Sequence, residues 1–321
     1  MNGSPISVTR PVDLALARVR QILFRPFDPG KWFVIGFCAW LAYLGQGGGG
    51  FNFRLPGGGH QNIGNLRDAF EQARQFVLNN LYWIAPLAGA AFLFVLAVWV
   101  LFTWLHSRGE FMFLHCVALN RAEVEVPWKK FAREGNSLFW FRLALGLVSM
   151  VVVSPPLILC GLKFFRMAID DTWTVFGVLI AIGWFLAMLL AAFLFALVRK
   201  LTADFVVPVM FRRRMRCWEG WADIWGLLTA HLGQFIVYLL FQIVLSIVIG
   251  FIVVAAVLVT CCIAGCLLAL PYLGTVLLLP VLVFKRGYSI HYLAQYGPDY
   301  DVFAPGEPPV ATVPAPSPRP V

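Results

Sequence analysis

IWGLLTAHLGQFIVYLLFQIVLSIVIGFIVVAAVLVTCCIAGCLLALPYLGTVLLLPVLVF, the stretch Ile224–Phe284, runs for 61 residues without one Asp, Glu, Lys or Arg. One membrane crossing needs about 20 apolar residues, so this stretch has room for two. A soluble domain could not hide such an uncharged run, because even buried helices keep a polar face or polar ends. The reading that follows is an all-α integral membrane protein.

Composition extends that reading to the whole chain. Hydrophobic residues make up 60% and charged residues 13%, against roughly 25% charged in an ordinary globular domain. The formal net charge of +9 could suit nucleic acid. The charges, however, lie between apolar segments and do not gather in one hydrophilic domain. Anionic membrane lipid is therefore the expected partner, and nucleic acid is not.

Six apolar stretches read as spans: Trp32–Gly45, Leu81–Leu105, Leu138–Cys160, Trp173–Val198, Phe235–Val257 and Ile263–Phe284. The first is short for a crossing. In the six-span reading, 19 of the 25 Lys and Arg residues fall on one side, including both terminal segments. Basic residues favour the cytoplasmic face, so both termini are expected there, in a plasma or inner membrane. Residues 1–303 form a single polytopic domain in this reading. Residues 304–321, rich in proline, are expected to be a disordered cytoplasmic tail.

The chain reads as a loose threefold repeat of a helix hairpin with an amphipathic opener. The openers are Val12–Leu23, Pro127–Glu134 and Trp218–Trp225. Trp and basic side chains on such segments suit the headgroup layer. Three return ends echo one another as well: Ser107-Arg108-Gly109-Glu110, Leu201-Thr202-Ala203-Asp204 and Lys285-Arg286-Gly287-Tyr288. They read as helix C-termini where cations face the carbonyl end of the dipole.

The motifs Ser107–Leu114, Gly135–Phe139, Phe205–Met210, Pro271–Pro280 and Gln295–Pro298 resemble a family of uncharacterised six-pass bacterial inner-membrane proteins. The layout is more distantly similar to the membrane domain that accompanies some glycerophosphodiester phosphodiesterases. The resemblance implies topology and a bacterial membrane location, and it implies no activity.

Candidate chemistry is sparse. The glycine-rich loop of Gly45–Asn65 lacks the Lys-Ser or Lys-Thr of a phosphate-binding loop and reads as a spacer, followed by an amphipathic helix, Leu66–Asn80. Cys261, Cys262 and Cys266 cluster between the last two spans and read as small packing residues. The other cysteines, Cys38, Cys116, Cys160 and Cys217, are scattered. Asp170 and Asp171 read as a solvated pair. Arg142 lies about one turn inside its span and reads as snorkelling to the headgroups. The spans, as bounded above, contain no carboxylate, which speaks against proton-coupled transport.

No catalytic, metal or cofactor motif is read, and the protein is expected not to be an enzyme. The expected function is membrane organisation or an accessory role through contact with anionic lipid. The residues expected at headgroups are Lys129, Lys130, Arg133, Arg212, Arg213 and Arg214, with Trp128, Trp218 and Trp221 as interfacial anchors. The alternative is a transporter or pore for a small solute or lipid, built on a polar face at His231, Gln234 and Gln242 and on the helix break at Pro271–Gly274. A homo-oligomer or a protein partner is left open by the sequence.

Overall fold

In the computed structural model, residues 6–44, 74–76, 78–169, 174–260, 265, 267–268 and 270–303 are described. Every regular element among them is helical. Helix α1 (Arg10–Val19) runs on as a π segment, Arg20–Phe24, and is followed by α2 (Pro29–Ala42). Next come α3 (Leu81–Leu119), the short α4 (Glu125–Lys130), α5 (Ala132–Ile169) and α6 (Val175–Leu201). A second π segment, Thr202–Val206, joins α6 to α7 (Val207–Arg213). The last four are α8 (Cys217–Ala230), α9 (Leu232–Val259), α10 (Pro271–Leu277) and α11 (Leu279–Leu293).

Four helical stretches are long and apolar enough to cross a membrane: Leu81–Leu119, Ala132–Met167, Val175–Arg213 and Leu232–Val259. The two other expected spans take a different form. At 14 residues, α2 is about 21 Å long, short of a hydrocarbon core of about 30 Å. The expected span Ile263–Phe284 is interrupted. Helix α10 within it begins at Pro271, breaks at Leu278 and is followed by α11, with Pro280 in the first turn. Proline lacks an N–H and fits the first turn of a helix, so Pro271 and Pro280 each start a helix here.

The long helices also continue past the limits that hydropathy sets for them. Helix α3 does not stop at Leu105 but runs 14 residues further, to Leu119. Its two halves differ in environment. Leu87, Phe92, Leu93 and Phe94 in the first half are exposed, whereas Phe111, Met112, Phe113, Leu114 and Cys116 are fully buried. Buried runs recur at Phe205–Met210 after α6 and, apart from half-buried His291, at Tyr288–Leu293 in α11. The packed core thus gathers at one end of the molecule, and the apolar halves that project from it have the exposed surface expected of lipid-facing helices.

Two short helices fill that core. Helix α2 packs along the last part of α3 and against α10, while α1 packs on α11. Lys31 donates to the Asn120 side chain, and Trp32 Nε1 donates to the Leu23 carbonyl at 2.8 Å. The segment before α1 is tied to the segment after α11, since Ser7 N donates to Gln295 Oε1 and Gln295 Nε2 donates to the Ser7 carbonyl. Arg18 adds bonds to the Val117 and Ala118 carbonyls at the end of α3.

The glycine-rich loop, Cys261, Cys262, Cys266, Asp170, Asp171, the proline-rich tail and most of the outer amphipathic segment Leu66–Asn80 lie outside the described residues. The close approach of α2 to α3 rests on Gly109. A Cβ there would stand 2.5 Å from Leu41 Cβ and 2.6 Å from the Leu41 carbonyl carbon. Gly109→Ala is therefore expected to cost about 1–3 kcal/mol, seen as a lower unfolding midpoint in detergent micelles. An unchanged midpoint would mean that the two helices are not packed this closely.

Candidate functional site

The three echoing return ends converge. Glu110 on α3, Arg286 on α11 and Ala203 in the second π segment come from elements far apart in sequence and meet inside the core. Arg286 Nη2 donates to Glu110 Oε1 at 3.1 Å, and Arg286 Nη1 donates to the Ala203 carbonyl at 2.7 Å. Arg142 Nη2, from α5, donates to the other carboxylate oxygen, Oε2. The Glu110, Arg286 and Arg142 side chains are 4%, 5% and 11% exposed, so this is a buried ion cluster.

Local sequence explains how the charges come to lie inside. Gly109 lets the backbone next to Glu110 lie against α2, while Gly287, next to Arg286, faces Ala15 of α1 at ordinary packing distance. The π segment widens the helical turn around Ala203, a distortion often found where helices carry function. Buried charges must be paired and hydrogen-bonded to be tolerated. Glu110 meets that condition by sharing its two oxygens between two guanidinium groups. Two N–H groups of the cluster, Arg286 Nε and Arg142 Nη1, are buried without an acceptor among the described residues.

A second set of polar contacts adjoins the first. Asp204 Oδ2 accepts from Lys200 Nζ at 2.8 Å and from the Tyr238 hydroxyl at 3.1 Å. Gln242 Nε2 donates to the same hydroxyl at 2.9 Å. Tyr238 is fully buried and packs on Phe205, Tyr288 and Tyr292. This anchors the first turns of α9 to the junction of α6 and α7.

Above these groups lies a cavity of about 910 Å³. Glu110, Arg286, Lys285, Lys200, Arg199 and Asp204 supply its charged lining, and Gln242, Ser246 and Ser149 add polar groups. Its apolar wall comes from α5 and α6, with Met150, Val153 and Phe195 among the contributors. The volume falls in the range of small-molecule sites, about 300–1,000 Å³. Lys285 is half-buried, and burial holds its ammonium below the ordinary lysine value. Lys200 pushes in the same direction, and Asp204 opposes both.

Two sequence readings are corrected by this geometry. Arg142 does not snorkel to a headgroup layer; it turns into the core to pair with Glu110. A buried carboxylate is also present within a candidate span, since α3 continues through Glu110. It escapes a hydropathy boundary because that boundary falls before the charged part of the helix. The available signals were Arg142, a lone charge in apolar and aromatic surroundings, and the charged ends Arg108–Glu110 and Lys285–Arg286 that echo one another.

The other expected residues are spread over several places. Gln242 lines the cavity, whereas Gln234 accepts from Tyr296, and His231 packs on the Tyr296 ring. Arg213 pairs with Asp223 and lies over the Tyr300 ring. Arg214 pairs with Glu134, lies over the Phe131 ring and donates to the Lys130 carbonyl. Lys129 pairs with Glu125 on an exposed helix face. Trp128 packs on Trp104, and the Arg108 guanidinium lies over both rings. Trp218 and Arg133 are exposed, Arg212 is half-buried, and Trp221 packs beside Phe141. The thiols of Cys38 and Cys116 stand 3.8 Å apart in the core, although nothing in their spacing pairs them.

Removing the shared carboxylate leaves two buried arginines facing each other. Glu110→Gln is expected to cost about 3–5 kcal/mol, read as a lost or broadened folded peak after detergent extraction. The double change Glu110→Gln with Arg142→Met is expected to recover part of the loss. Full stability of Glu110→Gln would contradict the pairing.

No curated protein and no solved structure matches this chain. The comparisons give no link to glycerophosphodiester phosphodiesterases. Residues 6–278 match a family of unknown function, DUF7544. The chain belongs to that family.

Proposed function

We propose that this is a non-catalytic, multi-pass protein of a bacterial inner membrane that holds the anionic headgroup of a membrane lipid in the cavity above the Glu110–Arg286 cluster. The observation that carries the reading is the composition of that cavity. Cations gather at its charged end, while its wall is formed by helices apolar enough to cross a membrane. An amphiphile has the same division, with charge at one end and hydrocarbon at the other.

The reading includes six crossings, a threefold hairpin repeat and cytoplasmic termini. The bias of basic residues supports the orientation. The mutual bonds between Ser7 and Gln295 support an even number of crossings between these two residues, because they hold the segment before α2 beside the segment after α11. In this arrangement Lys129, Lys130, Arg133 and Arg212, with Trp218, form an outer contact zone for bulk anionic lipid. The cavity takes a single lipid.

Transport of a lipid or small solute is the second reading, and Gln242 favours it. This side chain lies in a candidate span, lines the cavity and is hydrogen-bonded to the Tyr238–Asp204 pair that secures α9.

Two measurements separate these readings. Native mass spectrometry of the full chain, titrated with short-chain phosphatidylglycerol or phosphatidylcholine, is expected to show at least tenfold tighter retention of the anionic lipid. Equal retention would remove the lipid-binding reading. In proteoliposomes the wild-type chain is expected to give no solute or lipid flux above that of empty vesicles. Flux that Gln242→Leu abolishes would replace the binding role with transport.

A further inference from the structure

We propose that the cavity is selective for a headgroup carrying two negative charges, a phosphate monoester of the phosphatidic acid type, over the singly charged phosphodiester headgroups. This rests on the reading of the cavity as a lipid site and adds the charge class of the ligand.

The inference comes from matching each charge to its partner. Four cations and two carboxylates line the cavity. Arg286 is matched by Glu110, and Lys200 by Asp204. With Arg142 sharing Glu110, five cations stand against two carboxylates, a surplus of three positive charges, and two of these cations, Lys285 and Arg199, line the cavity without an ion pair among the described residues. Arg142 already occupies the second oxygen of Glu110, which therefore has no lone carboxylate oxygen to offer them.

The surroundings sharpen this surplus. Lys285 is half-buried and close enough to Lys200 for the two ammonium groups to repel. Surplus positive charge on the lining, with half-buried Lys285 and exposed Arg199 both unpaired among the described residues, asks for a compact anion with several acceptor oxygens. A phosphate monoester supplies three such oxygens and about −1.5 to −2 charge near neutral pH. A phosphodiester carries a single charge and would leave Lys285 or Arg199 unmatched.

The same chemistry is available from free inorganic phosphate. The cavity extends from the cations to Met150, Val153 and Phe195. Free phosphate would leave that apolar wall uncovered, whereas acyl chains would cover it. The lipid is therefore the source the structure favours.

The test titrates the purified full-length protein, in detergent, with short-chain phosphatidic acid, phosphatidylglycerol, phosphatidylcholine and inorganic phosphate, with the dissociation constant as readout. Phosphatidic acid is expected to bind at least tenfold tighter than phosphatidylglycerol, and inorganic phosphate more weakly than either. Losing one charge-assisted contact is worth roughly tenfold, so Lys285→Gln should reduce that preference to about threefold or less. Arg199→Gln, at an exposed position, provides a second variant if Lys285→Gln does not fold. Equal binding of phosphatidic acid and phosphatidylglycerol, both above phosphatidylcholine, would overturn the charge selectivity and leave the lipid site standing. No preference for either anionic lipid over phosphatidylcholine would overturn both. Inorganic phosphate binding as tightly as phosphatidic acid would overturn the lipid source.

Discussion

A single carboxylate, Glu110, holds the packed end of this protein together. It accepts from Arg142 and from Arg286, so that α3, α5 and α11 meet at one buried point, and Arg286 extends the link to the Ala203 carbonyl. Such a cluster is not expected to add much net stability, because the cost of desolvating the charges offsets most of their attraction. Its effect is on which arrangement forms. Any slip of one helix relative to the others would leave a buried charge without a partner, and that is far costlier than an imperfect apolar contact.

The rest of the fold is arranged around that constraint. Short helices fill the space that the long ones cannot, with α2 set against Gly109 and α1 against Gly287. The π segment after α6 presents Ala203 to Arg286 and Asp204 to Lys200 and Tyr238, so one distortion serves both polar sets. The same convergence forms the charged end of the cavity. Structural and candidate functional groups are therefore shared here, and Arg286 belongs to both.

The helical class and the apolar stretches were legible in the sequence because hydrocarbon imposes a length and a composition that few soluble helices meet. The helix ends were less legible. Hydropathy reports where lipid contact stops, and α3, α6 and α11 continue beyond that point as a protein-packed core. For that reason the sequence reads Glu110 as part of a helix end outside the spans and Arg142 as a headgroup contact. The echo among Ser107–Glu110, Leu201–Asp204 and Lys285–Tyr288 was visible, but its meaning was not. Those segments read as helix ends facing a common layer, whereas they face one another. Nothing in the spacing of Cys38 and Cys116, or of Ser7 and Gln295, marks them as neighbours, since such contacts depend on how the helices fold together.

The most direct test of the central claim is a double-mutant cycle between Glu110 and Arg286, using Glu110→Gln and Arg286→Gln and measuring unfolding free energy in detergent micelles. A shared buried contact predicts a coupling energy of about 2–3 kcal/mol, at the upper end for residues in one ion network. Additive losses, with coupling below about 0.5 kcal/mol, would contradict the account, because the two side chains would then not be meeting in the core.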